Sequence, residues 1–270
     1  MSEELIYIYC VTEKAPALEE GDNGIYFISY KGLYAVVSEA LSDEFGEDML
    51  KENLGNMKWI EENVLRHERV IEEVMKNRTV IPFKFATIFK TDENVKALLR
   101  EHHSEFKETL ERLEGMGEWG IKMYYSLDRL KANLIKEDEE IKRIEQEINL
   151  SSTGKAYFLK KKRDELIENI LNKKINEYGQ DSFEKLKALS MGARINKLLP
   201  KEVTEREDEM ILNAAFLVDK TKLKDFINSI NYLKERYSDV GSDVGFDFDY
   251  TGPWPPYNFC DLPKEEAQYG

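Results

Sequence analysis

The order of apolar and polar residues along the chain predicts a group of strands at its start. Residues 5–11 form a nearly continuous β-branched and aromatic run, typical of a strand buried on both faces. Two further runs, 24–30 and 33–39, are separated by Lys31-Gly32, which is hairpin spacing with glycine available for a left-handed turn position. The chain is therefore predicted to begin with three strands.

The apolar spacing then changes to a helical one. From residue 57 a spacing of three or four positions predicts one face of a long helix, formed by Met57, Ile60, Val64, His67, Ile71 and Val74. Residues 79–89 regain strand character, but Pro82 restricts them to an edge or a bulge because proline lacks a backbone donor. A second helix is predicted from about residue 91, with Thr91 or Asp92 as its N-cap. Its buried side is expected to contain Val95, Leu98, His102, Phe106, Leu110 and Leu113.

The second half repeats this order of strands and helices around a long helical insertion. Glycines between 115 and 120 indicate a break, and apolar residues at heptad-like spacing predict a helical hairpin over about 127–178, with its turn at 151–154. The other predicted elements are a strand at 121–125, a short helix around 183–191, a strand at 210–218, a helix at 220–237 and a strand at 244–250.

This order of elements predicts an α+β fold made of two modified ferredoxin-like domains, the second carrying the inserted long helical hairpin. We place the N-terminal domain at 1–116, the C-terminal domain at 117–250 and an extended Pro-rich tail at 251–270. A length of 270 residues suits two domains.

The tail contains the segment Thr-Gly-Pro-Trp-Pro-Pro-Tyr at residues 251–257. Its three prolines fix φ and remove three backbone donors, so the chain is predicted to leave the sheet as a stiff extended ribbon. Trp254, Tyr257 and Phe259 stand on that ribbon, and large aromatic residues dominate both cores and interfaces. The tail is therefore expected to seal the gap between the domains first and to contact a partner second.

Composition narrows the classes of partner. A formal net charge of -14 repels phosphate backbones and anionic membranes, so neither nucleic acid nor a membrane is an expected partner. The first residues lack a basic n-region, and no apolar run approaches the ~18 residues of a membrane span. Cys10 and Cys260 lie far apart in sequence, which favours free thiols in a reducing compartment and a cytoplasmic location.

Patterns for catalysis, cofactors and metals each fail at specific positions. The glycines at 115, 117 and 120 match a dinucleotide fingerprint, but a strand should precede them and a helix should follow, and here that order is reversed. None of the three histidines has a glutamate three residues earlier, as a di-iron helix requires. The sequence thus predicts no catalytic residue, no cofactor and no metal. The basic run at 160–163 is expected to be a solvated stripe, with docking of an acidic partner as the alternative.

Residues 251–257 with Phe259 resemble the ending of the gas vesicle protein F/L family. Weaker matches run in order through 33–39, 67–68, 80–89, 118–122 and 154–159, with Lys84 where the family usually has arginine. The resemblance implies a cytoplasmic, gas-vesicle-associated assembly factor or minor component. It would bind the hydrophobic shell protein and other accessory proteins, limit aggregation of the shell protein during nucleation, and catalyse no reaction.

We expect the N-terminal sheet, its helices and the strand around Phe83 to Phe89 to offer the face for the shell protein, with the C-terminal domain supporting it or recruiting other proteins. The edge strand interrupted by Pro82 could accept a partner strand. The candidate partner or inter-domain contacts are Phe83, Phe85, Phe89, Trp254, Tyr257 and Phe259. Two alternatives remain open. One is an enzyme or small-ligand-binding protein with a polar pocket around His67, and the other is a coiled-coil scaffold that uses the hairpin.

Overall fold

The computed structural model describes residues 4–15, 24–238 and 245–260. Helices are combined with two antiparallel sheets, so the predicted α+β class is confirmed. The chain divides into two compact units. Unit one contains the residues up to Glu118 together with those from Pro253 onward, and unit two is Trp119–Gly252.

The sheet of unit one is built on a hairpin that the sequence predicts. Lys31 and Gly32 both have positive φ, 44° and 87°, as the tight turn requires. The strands lie in the order β2-β3-β1-β4, and β5 also pairs with β1. Their bounds are β1 Glu4–Thr12, β2 Ile25–Tyr30, β3 Leu33–Leu41, β4 Ile81–Pro82 and β5 Ile88–Phe89.

The described part of unit one contains five helices, and one of them begins at a predicted cap. Thr91 Oγ1 accepts from the backbone N–H of Asn94 at 3.3 Å. The single helix predicted after residue 91 is broken at His102. Within the first of the two resulting helices, Leu99 lies four residues after Val95 and is buried where Leu98 was expected. The helices are α1 Ser42–Phe45, α2 Glu47–Asn53, α3 Met57–Met75, α4 Asp92–Glu101 and α5 His103–Leu113.

The sheet of unit two starts earlier than predicted. Gly115, at φ 74°, follows the end of α5, and the next residue already belongs to strand β6. The predicted strand start at 121 is therefore wrong, because Met116–Tyr125 is one strand, although the chain still divides into its two units within 115–120, after Glu118. The strand order is β7-β8-β6-β9. The strands are β6 Met116–Tyr125, β7 Gly192–Ile195, β8 Glu209–Asp219 and β9 Phe246–Trp254.

Helix α8 continues through the position where the sequence predicts a new short helix around 183–191. Ser182 and Leu186 extend its buried face, so the helix has no reason to end near Gly179. After it, Gly192–Ile195 forms a strand that the sequence analysis missed. The helices of unit two are α6 Leu127–Glu137, α7 Glu139–Asn149, α8 Thr153–Lys187, α9 Lys201–Thr204 and α10 Leu223–Ser238.

Helices α6, α7 and α8 share an apolar cluster of their own. The buried members of that cluster are Leu130, Leu134, Ile141, Ile167 and Leu171. Asp138 separates α6 from α7 by capping α7, since its carboxylate accepts from two backbone N–H groups at the start of that helix. Across the described ranges, we find no helix with the length and apolar character needed to span a membrane.

Candidate functional site

The segment Pro253–Cys260, here called the strap, belongs to unit one although it follows unit two in sequence. Pro255 and Pro256 are buried, and Tyr257–Phe259 forms a short 3-10 turn. The backbone N–H of Phe259 donates to the carbonyl of Pro256 at 3.0 Å. The prediction that the chain leaves the sheet at residue 251 is wrong, because strand β9 continues to Trp254 and the chain turns at Tyr257. Residues 261–270 of the predicted tail lie outside the described residues.

Two groups from the end of α5 and the start of β6 hold the backbone of the strap. The carboxylate of Glu118 accepts from the Asn258 backbone N–H at 3.0 Å and from Asn258 Nδ2 at 2.6 Å. The Arg112 guanidinium donates to the Phe259 carbonyl at 2.9 Å. Bonds to charged groups are stronger than neutral ones, so these contacts fix the path of the strap.

Tyr257 joins the strap to helix α3. Its hydroxyl donates to Glu68 Oε1 at 2.8 Å and lies 3.2 Å from Nε2 of His67. The ring packs against the core of unit one, so the side chain is held by apolar contacts as well as by polar ones. Tyr257 therefore connects the strap to two consecutive residues of α3.

His67 is buried at the centre of this network. Its Nε2 lies 3.1 Å from the Phe83 carbonyl, which can only accept, so Nε2 carries the proton. Its Nδ1 then accepts from the Tyr7 hydroxyl at 2.9 Å. The neutral imidazole thus has a partner at each nitrogen and links α3, β1 and the residue after β4.

Tyr7 also fixes the turn between β4 and β5. Its hydroxyl oxygen accepts from the Ala86 backbone N–H at 3.0 Å. Ala86 has φ 60°, a left-handed conformation that is uncommon for a residue with a Cβ. The Thr87 hydroxyl closes the same turn by donating to the Lys84 carbonyl at 2.7 Å. The turn is consequently tied to the His67 network through Tyr7.

Burial sets the protonation states of this cluster. It lowers the pKa of His67 to about 4, against a smaller opposing effect of the bond to Phe83. Burial also raises the pKa of Glu68, and the bond from Tyr257 partly offsets that rise. The pKa of Tyr257 is raised by burial and by the neighbouring carboxylate. At neutral pH the imidazole is uncharged and the phenol keeps its proton.

The space beside His67 is too small for a substrate. A cavity of about 20 Å³ lies between Tyr7, Tyr9, Arg66 and His67, enough for about one water molecule. Nor does the described part of the chain bring together three His, Cys, Asp or Glu side chains that could hold a metal ion. The cluster around His67 therefore holds the strap in place through hydrogen bonds.

The six predicted contact residues separate into two groups. Phe83, Phe89 and Phe259 are buried, whereas Phe85 and Tyr257 are half-buried and Trp254 is 42% exposed. The structure gathers Phe83, Phe85 and Tyr257 around His67; the Phe85 and His67 ring centres lie 6.0 Å apart. Phe89 instead pairs with Ile6 of β1.

Sequence reasoning missed an exposed apolar stretch in unit one, here called the apolar segment and spanning residues 41–65. Its exposed large apolar side chains are Leu41, Met49, Leu54, Met57 and Leu65. A signal was present in α3, where Leu65 falls outside the buried stripe formed by His67, Val70, Ile71 and Val74. An apolar residue on the polar side of an amphipathic helix is unexplained by packing within this unit.

These features define an α+β protein of two units whose central polar cluster anchors its own strap. The family model described as "Gas vesicle synthesis protein GvpL/GvpF" matches residues 5–261. The chain belongs to this family, as its resemblance in sequence had indicated.

Individual relatives cover nearly the whole chain. Gas vesicle protein L of Streptomyces sp. (strain CB03234) is 24% identical over 98% of this chain and 96% of its own length. Gas vesicle protein F1 of Halobacterium salinarum is 26% identical over 90% of this chain and 84% of its own. The crystal structure of the gas vesicle protein GvpF from Anabaena sp. PCC7120 aligns with a TM-score of 0.72 and 19% identity, covering 97% of this chain and all of that one. This structural likeness shows a shared fold.

Proposed function

We propose that the chain is a cytoplasmic, gas-vesicle-associated assembly factor that binds the hydrophobic shell protein and limits its aggregation during nucleation. Family membership over residues 5–261 supports the gas vesicle role. A shell subunit exposes apolar surface before it assembles, and such surface aggregates unless another protein covers it. The factor needs a binding surface for this task, and the proposal includes no catalytic step.

The observation that carries the proposal is the exposure of the apolar segment. Met57 and Leu65 of α3 and Leu54 just before it point away from the core of unit one. Methionine and leucine side chains adapt to varied apolar partners, which suits a surface that receives an unassembled subunit. This assignment keeps the shell-protein contact in the N-terminal unit.

The sheet edge near Phe83 is a less suitable contact than the apolar segment. Strand β4 has only two residues, and the Phe83 backbone N–H already donates to the Tyr9 carbonyl at 2.9 Å. The Phe83 carbonyl in turn accepts from His67. A partner strand adding here would have to displace existing bonds, so we propose the side chains of the apolar segment as the contact instead.

The test uses the full chain, because unit one is incomplete without the strap. Shell protein is diluted from denaturant, and its light scattering is followed with and without the chain. Leu65→Glu places a charge on the proposed surface and is expected to abolish most of the suppression of scattering. The matched control is Leu198→Glu in unit two, since Leu65 and Leu198 are 48% and 46% exposed.

Equal suppression by the parent protein and Leu65→Glu would contradict the proposed surface. Loss of suppression in Leu198→Glu alone would move the contact to unit two. Circular dichroism of both variants checks that each remains folded, which their exposed positions favour.

We further propose that both units are modified ferredoxin-like domains, with boundaries near residues 116 and 250. Numbered in chain order within each sheet, the strands lie in the order 2-3-1-4 in both units. Helices connect the third strand to the fourth in each. In unit two, α6, α7 and the first half of α8 are then an insertion between its first two strands.

A further inference from the structure

The arm tip, defined here as residues 150–162, consists of the turn between α7 and α8 and the first ten residues of α8, and it exposes large apolar side chains. Leu150, Tyr157 and Phe158 are 89%, 68% and 72% exposed. The two rings contact each other edge to face, with centres 5.8 Å apart. None of the thirteen residues in this range is buried. Exposed apolar side chains that lie together on a surface are a feature of interaction sites.

The same tip is positively charged within a strongly acidic protein. Lys155, Lys160 and Lys162 are exposed and form no ion pair with any residue in the described ranges, while Lys161 Nζ lies 3.9 Å from Glu165 Oε1. The net charge of the whole chain is -14. Arg163 is excluded from the tip because it is bonded to Glu145 of α7 at 2.6 Å and to Asp164 at 2.7 Å.

Helical geometry places the charges beside the aromatic rings. At 100° per residue, Lys161 falls between Tyr157 and Phe158 on the outer side of α8, one turn further along. The inner side carries Leu159 and Leu166, which are half-buried. An apolar patch bordered by lysines therefore faces away from α7.

We propose that the arm tip is a docking site for an acidic amphipathic segment of a partner protein, which places leucine-like side chains against Tyr157 and Phe158 and carboxylates against the lysines. Charge complementarity selects this occupant. A second copy of the chain brings the same net charge of -14, which repels the first copy. An anionic bilayer is an extended surface and would also be repelled by the net negative charge of the chain. A short acidic segment would contact only the positively charged tip.

The experiment measures binding of a labelled peptide to the full chain by fluorescence anisotropy. The peptide is an amphipathic helix of about 18 residues made of Glu, Leu and Ala. Lys161→Glu combined with Lys162→Glu is expected to weaken binding at least about tenfold, as is Tyr157→Ala combined with Phe158→Ala. Raising the salt concentration should weaken binding to the unmodified chain, a readout that needs no variant.

Control variants make the same kinds of substitution, one residue at a time, elsewhere in unit two. Lys224→Glu and Tyr232→Ala alter an exposed lysine and an exposed tyrosine on α10, and both should bind like the parent protein. The site is contradicted if the tip variants also bind like the parent, or if a peptide with Gln in place of Glu binds equally well. Tip-dependent binding to phosphatidylserine vesicles without binding to the peptide would overturn the proposed occupant.

Discussion

Two pairs of aromatic residues in this protein have opposite surroundings. Tyr257 and Phe259 of the strap are packed into unit one, where the phenol meets Glu68 and His67 and the phenyl ring is buried. Tyr157 and Phe158 of the arm tip are exposed to solvent. The same residue types therefore stabilise the fold in one place and remain available for a partner in the other.

The flanking residues explain the difference. Pro255 and Pro256 precede the strap aromatics, and their fixed φ reduces the entropy lost when that segment is immobilised against a core. Lysines surround the tip aromatics, and a lysine is costly to bury without a partner. An aromatic residue next to prolines can therefore be buried with a small loss of conformational entropy. An aromatic residue among lysines stays at the surface, because burying it would also bury the lysines.

The largest effect that would test this comparison is expected at Phe259. Phe259→Ala removes a buried ring and should lower the free energy of unfolding by about 4 kcal/mol, measured by urea denaturation. Phe158→Ala removes the same group from an exposed site and should change it by less than about 0.5 kcal/mol. Similar losses in the two variants would contradict the contrast between strap and tip.

A second effect concerns pH, because His67 anchors the strap in its neutral form. The pKa of His67 is lowered to about 4 in the folded protein, whereas an unfolded histidine titrates near about 6.5. Above about pH 6.5 His67 is neutral in both the folded and the unfolded protein, so it does not contribute to the pH dependence of stability. As the pH falls from about 6.5 toward 4, the unfolded chain takes up a proton that the folded one does not. Stability should then fall by up to about 3 kcal/mol.

The measurement compares urea denaturation of the parent protein and His67→Gln across this range. Burial raises the pKa of Glu68 and Glu118, so these carboxyls add stability as the pH falls and oppose the histidine. Both proteins contain these carboxyls, so the difference between the two curves reports His67. A difference that stays constant from pH 7 to pH 4 would show that the imidazole does not remain neutral in the folded protein.

A smaller effect isolates the strap hydroxyl. Tyr257→Phe keeps the ring but leaves the half-buried Glu68 without its donor, which should lower the free energy of unfolding by about 1 kcal/mol and raise the pKa of Glu68 further. Tyr157→Phe at the arm tip is the matched control and should leave stability unchanged. An equal change in the free energy of unfolding for Tyr257→Phe and Tyr157→Phe would show that the bond from Tyr257 to Glu68 does not hold the strap.

Local sequence was enough for elements whose chemistry is contained in a few residues. Lys31-Gly32 predicted its hairpin and Thr91 predicted its cap, because a turn or a cap requires specific side chains at specific positions. The spacing of α3 also placed His67 on the buried face. Strand β7 was missed because four residues following a long helix are too few to show any alternation.

The partners of the site could not be predicted in this way. Tyr257 meets His67 across 190 positions, and no local pattern specifies such a contact. The sequence does not distinguish Trp254 from Phe259 in the tail, yet the structure leaves Trp254 far more exposed than Phe259. We therefore now expect Trp254→Ala to cost less stability than Phe259→Ala.

The place of the strap in the sequence has a consequence for the order in which the protein matures on the ribosome. Contacts to Arg112, Glu118 and Glu68 can form only after Trp119–Gly252 has been synthesised. At ordinary translation rates that delay is on the order of 10 s. During this interval the nascent N-terminal unit lacks its contacts with the strap. Formation of these contacts is therefore the last step in the folding of a newly made unit one.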